Sequence, residues 1–247
     1  PPVSWPRRGL VLNDLWALVA SLLAATTRLY VGSEVHIAPL RHPLATVLAA
    51  ATVQNTSGGR FLFGVGGGWM NEECRSRGAG FDTRGERLDE IIDIARLVWS
   101  AESFVSHEGK HYRFPPIRSA RVETPIPVIL GGTSPAAIRR AARHGDGWYS
   151  RSATTLEEAV DVRARIERLR DEYGRSETPF SYHIRVAGPP RRDLLEQYSE
   201  AGFTYLGFDG RAILGDAADG IARADRIRMA AEELGLVPAQ VRAINAR

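Results

Sequence analysis

The chain has 247 residues, of which 44% are hydrophobic and 25% charged, and this ordinary composition excludes disordered, collagen-like and disulfide-scaffold proteins. Of its 32 basic residues only Lys110 is a lysine, and 29 carboxylates reduce the formal net charge to +3, which argues against a nucleic-acid partner. The single cysteine, Cys74, permits no internal disulfide and favours a cytoplasmic location.

Helical and strand patterns alternate along the whole chain. The predicted helices cover about 15–27, 42–55, 83–99, 134–144, 155–173, 192–201 and 219–234. Six predicted strands begin near residues 29, 60, 126, 147, 180 and 203. Each strand is separated from the next by a helix, and this order indicates right-handed parallel βαβ units in a single sheet.

No membrane segment or secretory signal is expected. The longest apolar run, 15–25, is about half of the roughly 20 residues that a membrane helix needs. Residues 1–10 contain prolines and arginines where a signal peptide has its apolar region.

Six parallel strands fit either a doubly wound sheet or a (β/α)8 barrel with two units outside this sequence. We treat 1–247 as one domain, because no linker divides the alternating elements, with a β-hairpin insertion at about 103–115. The first residues form an irregular stretch leading into a helix, so further units would precede residue 1 and the sequence would be a fragment.

The strongest local signal follows the predicted strand that begins near residue 126. Gly131, Gly132 and Thr133 precede a serine and a proline suited to the N-cap and first position of a helix. Free backbone N–H groups and the positive end of the helix dipole would meet there, which predicts a phosphate site. The alternative is a well-capped turn without a ligand.

A second glycine-rich turn, Gly64-Val-Gly-Gly-Gly-Trp69, also follows a strand. It is not the dinucleotide fingerprint G-x-G-x-x-G, because the position of the third glycine is occupied by Trp69. Gly67 and Gly68 would let a planar ligand lie against backbone, and Trp69 could stack on it. The alternative is a flexible turn beside a core tryptophan.

Glu34 and His36 alternate with Ser33, Val35 and Ile37 in the first predicted strand, which places Glu34 and His36 on one face. Glu34 and His36 could line a pocket together. The alternative is that Glu34 forms a structural ion pair with an arginine. The other histidines are scattered without metal-ligand spacing, so we expect no metal site. The only Gly-Lys dipeptide precedes His111, which excludes a Walker A loop, and no G-x-S-x-G serine motif is present.

Five segments in this order resemble the luciferase-like monooxygenase superfamily, and most closely the branch that uses the deazaflavin coenzyme F420. They are APLRHP at 38–43, SGGRFLFGVGGGWMNEE at 57–73, FDTRGERLDE at 81–90, PVILGGTSPAA at 127–137 and ARHGDGW at 142–148. The resemblance implies a (β/α)8 barrel of the TIM-barrel type, incomplete at the N-terminus of this sequence.

The same resemblance implies a set of cofactor-binding residues. Glu34 and Val35 match a bulged strand segment, often with a non-proline cis peptide, on which the ring of the cofactor packs. Gly67 and Gly68 match the turn that touches the ring, and Gly131, Gly132 and Thr133 match the turn that receives the phosphate.

The function implied is F420-dependent hydride transfer to or from a small organic substrate. Separately, we expect a cytoplasmic protein and a homodimer. FMN-dependent monooxygenation is the alternative within the same fold, and a non-catalytic or truncated member that binds cofactor weakly is a third. Where some relatives place an acidic glutamate this chain has Trp69, so His36, Glu72 and Glu73 are catalytic candidates by position only.

Overall fold

A computed structural model describes residues 13–150, 153–203, 205–210 and 229. The helices are α1 Leu15–Ala24, α2 Pro43–Ser57, α3 Asn71–Ser76, α4 Arg84–Ser100, α5 Pro135–His144, α6 Leu156–Glu172 and α7 Arg192–Glu200. The strands are β1 Val31–Gly32, β2 His36–Ile37, β3 Phe61–Gly66, β4 Phe104–Glu108, β5 Arg113–Arg118, β6 Val128–Gly131, β7 Gly147–Tyr149, β8 Ser181–Val186 and β9 Tyr205–Phe208. The predicted closing helix at 219–234 lies outside the described residues, except for Met229.

The main sheet is parallel and confirms the predicted fold class. Its strand order is β1-β3-β6-β7-β8-β9, and β2 also pairs with β3. The single strand predicted from residue 29 is present as two short pieces, β1 and β2, because pairing with β3 is interrupted between them. A helix lies between each consecutive pair of strands from β2 to β9 in this sheet: α2 before β3, α4 before β6, α5 before β7, α6 before β8 and α7 before β9. This is the arrangement of successive units in a TIM barrel.

The hydrophobic core lies between this sheet and its helices. Phe61, Phe63 and Val65 of β3 are fully buried and belong to the main cluster of core residues. Because residues alternate along a strand, Gly64 and Gly66 face the other side of the sheet, where a Cβ on Gly64 would collide with the Ser33 carbonyl oxygen and one on Gly66 would lie 2.9 Å from Cγ2 of Val35. Burial of each phenylalanine contributes about 2 kcal/mol, so β3 is held firmly against the core.

Two helices reach the core through an aromatic contact. Trp99 of α4 is 5% exposed, and its indole Nε1 donates a 2.9 Å hydrogen bond to the carbonyl of Val47 in α2. Its ring meets Phe63 edge-on at a centroid distance of 5.5 Å. This contact fixes α4, whose first turn lies at the functional site described below.

Strands β4 and β5 form a separate antiparallel hairpin, which extends to Arg118, three residues beyond the predicted insertion. The carboxylate of Glu90 in α4 anchors it by accepting hydrogen bonds from the backbone N–H groups of His111 and Tyr112 at 2.9 and 2.8 Å. His107 contacts the same carboxylate at 2.9 Å. Among the described residues, no helix is long and apolar enough to cross a bilayer.

Candidate functional site

A cavity of about 890 Å³ lies where β2, β3 and β6 end. The side chain or backbone of every residue predicted to bind the cofactor lines it: Glu34, Val35, Gly67, Gly68, Trp69, Gly131, Gly132 and Thr133. The carboxyl ends of parallel strands are where ligands bind in this class of fold. The structure therefore brings these segments, about 100 residues apart in sequence, to one place, and their binding of a cofactor stays a prediction.

The turn after β6 has the features of an anion site. Ser134 caps α5, and its hydroxyl accepts a 3.2 Å hydrogen bond from the N–H of Ala137. Gly132 has a φ of 120°, and a Cβ there would stand 2.9 Å from the Cβ of Ala137, so only glycine fits without a shift. The start of α5, with its positive dipole end, thus opens to the cavity beside the Thr133 hydroxyl.

The turn after β3 forms another wall of the cavity. Gly68 has a φ of 83°, and a Cβ on it would lie 2.8 Å from Cγ2 of Ile37. Arg84 holds the turn through a 3.3 Å hydrogen bond from Nε to the Gly68 carbonyl, and its Nη1 donates to the carbonyl of Phe81 at 2.7 Å. Trp69 is 60% exposed, so the interpretation as a core tryptophan is wrong, and its ring is available at the cavity mouth.

Glu34 also lines the cavity and joins a polar network. The peptide bond between Glu34 and Val35 is cis, as the resemblance implies. The Glu34 side chain is hydrogen-bonded to Tyr149, which is 5% exposed. Burial, followed by this hydrogen bond and the negative charge of Glu34, raises the pKa of Tyr149 to about 12. Among the described residues Glu34 therefore has a phenol as its partner, rather than the arginine considered from sequence.

His36 does not share a face with Glu34, and that prediction is wrong. Its ring packs edge-on against Trp16 at 5.6 Å, and its Nε2 lies 3.3 Å from the hydroxyl of Thr46, away from the cavity. The alternation fails because the strand is interrupted between β1 and β2. Burial, with a smaller effect of the Arg41 charge, lowers the pKa of His36 to about 4.

The other two catalytic candidates are in α3. Glu72 is exposed and Glu73 is half-buried, and neither contributes to the cavity wall. The charged side chains that do line the cavity, besides Glu34, are Asp82, Arg84 and Arg140. Sequence reasoning assigned them no role, although Asp82 and Arg84 fall within the segment 81–90 on which the resemblance partly rests.

A smaller cavity of about 290 Å³ adjoins the first, and Glu34 and Tyr149 line both. Its other lining residues are His183, Tyr205, Leu206 and Gly207. The strand register places Gly131 beside Tyr149, Tyr149 beside His183 and His183 beside Tyr205. One row across four strands thus runs from the predicted anion site to the smaller cavity, and no pattern within a single strand reveals it.

The family model described as luciferase-like monooxygenase matches residues 3–241. A Mycobacterium tuberculosis protein of uncharacterized function is 36% identical over 177 residues, covering 71% of this chain and 60% of that protein. Another protein of that organism, provisionally named a coenzyme F420-dependent oxidoreductase, is 32% identical to this chain. The alignment covers 55% of this chain and 43% of that protein. The FMNH2-dependent dimethylsulfone monooxygenase of Pseudomonas putida is 31% identical, and the alignment covers 61% of this chain and 41% of that enzyme. The chain thus spans about 40 to 60% of the length of these three relatives.

Solved structures show the same fold. An F420-dependent secondary alcohol dehydrogenase, solved with an F420–acetone adduct, superposes with a TM-score of 0.64 at 16% identity. The alignment covers 90% of this chain and 75% of that enzyme.

Proposed function

Because the chain belongs to the luciferase-like monooxygenase family, we propose that it is an oxidoreductase that uses coenzyme F420 to transfer hydride to or from a small organic substrate. The observation that carries the proposal is that two glycine turns and the Glu34–Val35 segment line one cavity. An F420-dependent oxidoreductase among the relatives and an F420-dependent dehydrogenase among the structural neighbours support the choice of cofactor.

The residues present fit a phosphorylated three-ring cofactor. Thr133 and Ser134 would hold its phosphate through backbone N–H groups, the Thr133 hydroxyl and the dipole of α5, while the N–H of Gly132 is bonded to the carbonyl of Tyr149 at 3.4 Å. Gly67 and Gly68 would face its ring, since a bare backbone wall permits close approach. When bound, the deazaflavin supplies the hydride chemistry, and the protein supplies orientation and polarity.

The chain's own polar groups near the ring position are Tyr149 and Glu34. With a pKa raised to about 12, Tyr149 keeps its proton at neutral pH and donates it in the hydrogen bond to Glu34. The carboxylate can accept further hydrogen bonds from a bound molecule, because two oxygens offer about four acceptor positions. Apolar Ile37 and Leu88, which also line the cavity, exclude water from the wall nearest the glycine turn.

FMN is the second candidate, favoured by the FMNH2-dependent monooxygenase among the relatives. It also carries a phosphate and a three-ring system, so the same residues would hold it. The two cofactors differ in chemistry, because reduced flavin reacts with oxygen and supports monooxygenation.

The test is reconstitution of the purified protein with each cofactor separately, followed by desalting and a visible spectrum. We expect F420 to be retained, and Thr133→Val to weaken its binding about tenfold through loss of a hydroxyl at the phosphate. Thr52→Val is the matched control, because Thr52 is exposed on α2 and its hydroxyl bonds only within that helix. Retention of FMN without F420, or of neither cofactor, would overturn the proposal.

Assembly as a homodimer is part of the proposal and is measured by sedimentation velocity. The sheet edges at β1 and β9 each pair on one side only among the described residues, and exposed edges tend to associate unless they are covered.

A further inference from the structure

The smaller cavity has an aromatic floor. The rings of His183 and Tyr205 stack at a centroid distance of 4.5 Å with 14° between their planes. Their positions are fixed, because His183 and Tyr205 are register partners in β8 and β9, and the Ser181 hydroxyl lies 2.9 Å from Nε2 of His183. Tyr205 is 50% exposed, so this two-ring stack has surface to offer a planar or apolar group.

Another part of the lining of the smaller cavity is polar and carries negative charge. Glu34 lines the cavity and Tyr149 is bonded to it. Arg185, two residues further along β8 than His183, also reaches Tyr149, but its guanidinium is paired with Asp209 at 3.1 Å. The arginine charge is therefore offset locally, whereas the carboxylate of Glu34 is balanced by no cation within ion-pair distance among the described residues.

His183 and Tyr149 carry no charge at pH 7. Burial lowers the pKa of His183 to about 4, so its imidazole is uncharged, and Tyr149 keeps its proton. The carboxylate of Glu34 repels a second anion and accepts a hydrogen bond from a donor, and the uncharged imidazole adds no positive charge that would offset this repulsion. At about 290 Å³ the space is at the lower limit of small-molecule pockets, which restricts the ligand to a small compound.

From these contacts we propose that the smaller cavity is a binding subsite for a small neutral or cationic molecule with a planar or apolar group and a hydroxyl or amine. The apolar group stacks on Tyr205, and the hydroxyl or amine donates a hydrogen bond to Glu34. The inference rests on the proposed function, in which this molecule is the organic substrate, because Glu34 and Tyr149 also face the cofactor cavity.

Three probes that share a benzene ring test the charge preference: benzyl alcohol, benzylamine and benzoate. Their dissociation constants are measured by NMR titration of the purified protein, with the imidazole signals of His183 reporting the place of binding. We expect benzyl alcohol and benzylamine to shift these signals and to bind at least fivefold more tightly than benzoate. Equal binding of all three within twofold, or unmoved His183 signals, would overturn the subsite.

Variants separate the two halves of the subsite. Glu34→Gln removes the charge at nearly constant shape, and we expect benzyl alcohol and benzoate then to bind within twofold of each other. Tyr205→Ala should weaken all three probes at least fivefold, whereas Tyr30→Ala, which alters a comparably exposed tyrosine at 59%, should change none. Should Glu34→Gln not fold, the probe ratio in the unaltered protein and the Tyr205→Ala result still decide.

Cofactor binding is measured in the same samples, so failure of the subsite and failure of the proposed function are distinguishable. Probe binding at His183 in a protein that retains neither F420 nor FMN supports the subsite and rejects the proposed function. Retention of a cofactor without any probe binding rejects the subsite alone.

Discussion

The indole Nε1 of Trp148 donates a 2.8 Å hydrogen bond to the carbonyl oxygen of Gly132. Trp148 is 1% exposed, so this bond turns the Gly132 carbonyl toward the core. In a trans peptide the C=O and the following N–H point in opposite directions, and the Thr133 N–H is therefore directed away from Trp148. A core tryptophan thus orients a donor at the predicted phosphate site.

Trp148→Phe removes that donor while it keeps an aromatic ring in the core. We expect the free energy of unfolding to fall by about 2 kcal/mol, because the Gly132 carbonyl loses its partner and ring volume is lost. Cofactor affinity should fall as well, since the turn loses its orientation. Chemical denaturation and cofactor titration measure the two effects, and unchanged affinity in a folded variant would contradict this role of Trp148.

Gly132→Ala should reduce cofactor binding more than about tenfold. The new Cβ would meet Ala137 at 2.9 Å in a backbone conformation with φ of 120°, so the turn must shift. Gly174→Ala is the control, because Gly174 has a φ of 66° but a Cβ added to it would meet nothing within 4 Å. We expect Gly174→Ala to cost about 1 kcal/mol of stability and to leave binding intact. Titration of both variants with the retained cofactor is the measurement.

Arg84→Met should loosen the turn after β3. The guanidinium bonds the carbonyls of Gly68 and Phe81 and lies 3.8 Å above the Phe81 ring, and methionine replaces only the apolar stem. We expect a three- to tenfold loss of cofactor affinity with a stability change of about 1 kcal/mol. Arg87→Met is the matched control, because Arg87 donates to the hydroxyl of Thr83 rather than to the turn. An equal loss of cofactor affinity in both variants would mean that the change in net charge, and not the turn, causes the loss.

Sequence patterns predicted the parallel sheet and both glycine turns because each depends on contiguous residues. Gly131 to Pro135 combine a strand end, a cap and a helix start, and every part of that signal is local. The signal in the segment from Gly64 to Trp69 is local in the same way. The sequence left open whether Trp69 is a core residue, and its exposure of 60% shows that it is not.

The polar side of the site could not be predicted, since it depends on register between strands. Tyr149 reaches Glu34 because β6 and β7 align Gly131 with Tyr149, and no spacing within either strand encodes that alignment. The grouping of Glu34 with His36 failed for a related reason. Alternation applies to an unbroken strand, and pairing stops between Gly32 and His36.

Arg170 tests how a buried charge contributes to stability. It is 1% exposed in α6, its Nη2 donates to the carbonyls of Arg175 and Thr178, and its guanidinium lies 4.4 Å from the ring centre of Phe180. We expect Arg170→Ala to cost about 3 kcal/mol, because the packing and both bonds are lost. Arg170→Met retains the packing and should cost about 1 kcal/mol, and Arg168→Ala on the exposed face should have no measurable effect. Equal costs for Ala and Met at position 170 would contradict the packing argument.

His36 makes stability depend on pH. Its pKa falls from an ordinary 6.5 to about 4 in the folded protein, so below pH 6.5 the unfolded chain binds a proton that the folded chain excludes. The neutral His36 therefore contributes at most about 3 kcal/mol to the free energy of unfolding. This contribution is present in full above pH 6.5 and is lost as the pH falls toward 4. His183 acts in the same window because its pKa is also lowered to about 4. Denaturation between pH 4 and 7 should show a shallower slope for His36→Phe than for the unaltered protein, with some slope retained from His183. An unchanged slope would place the titrating groups elsewhere.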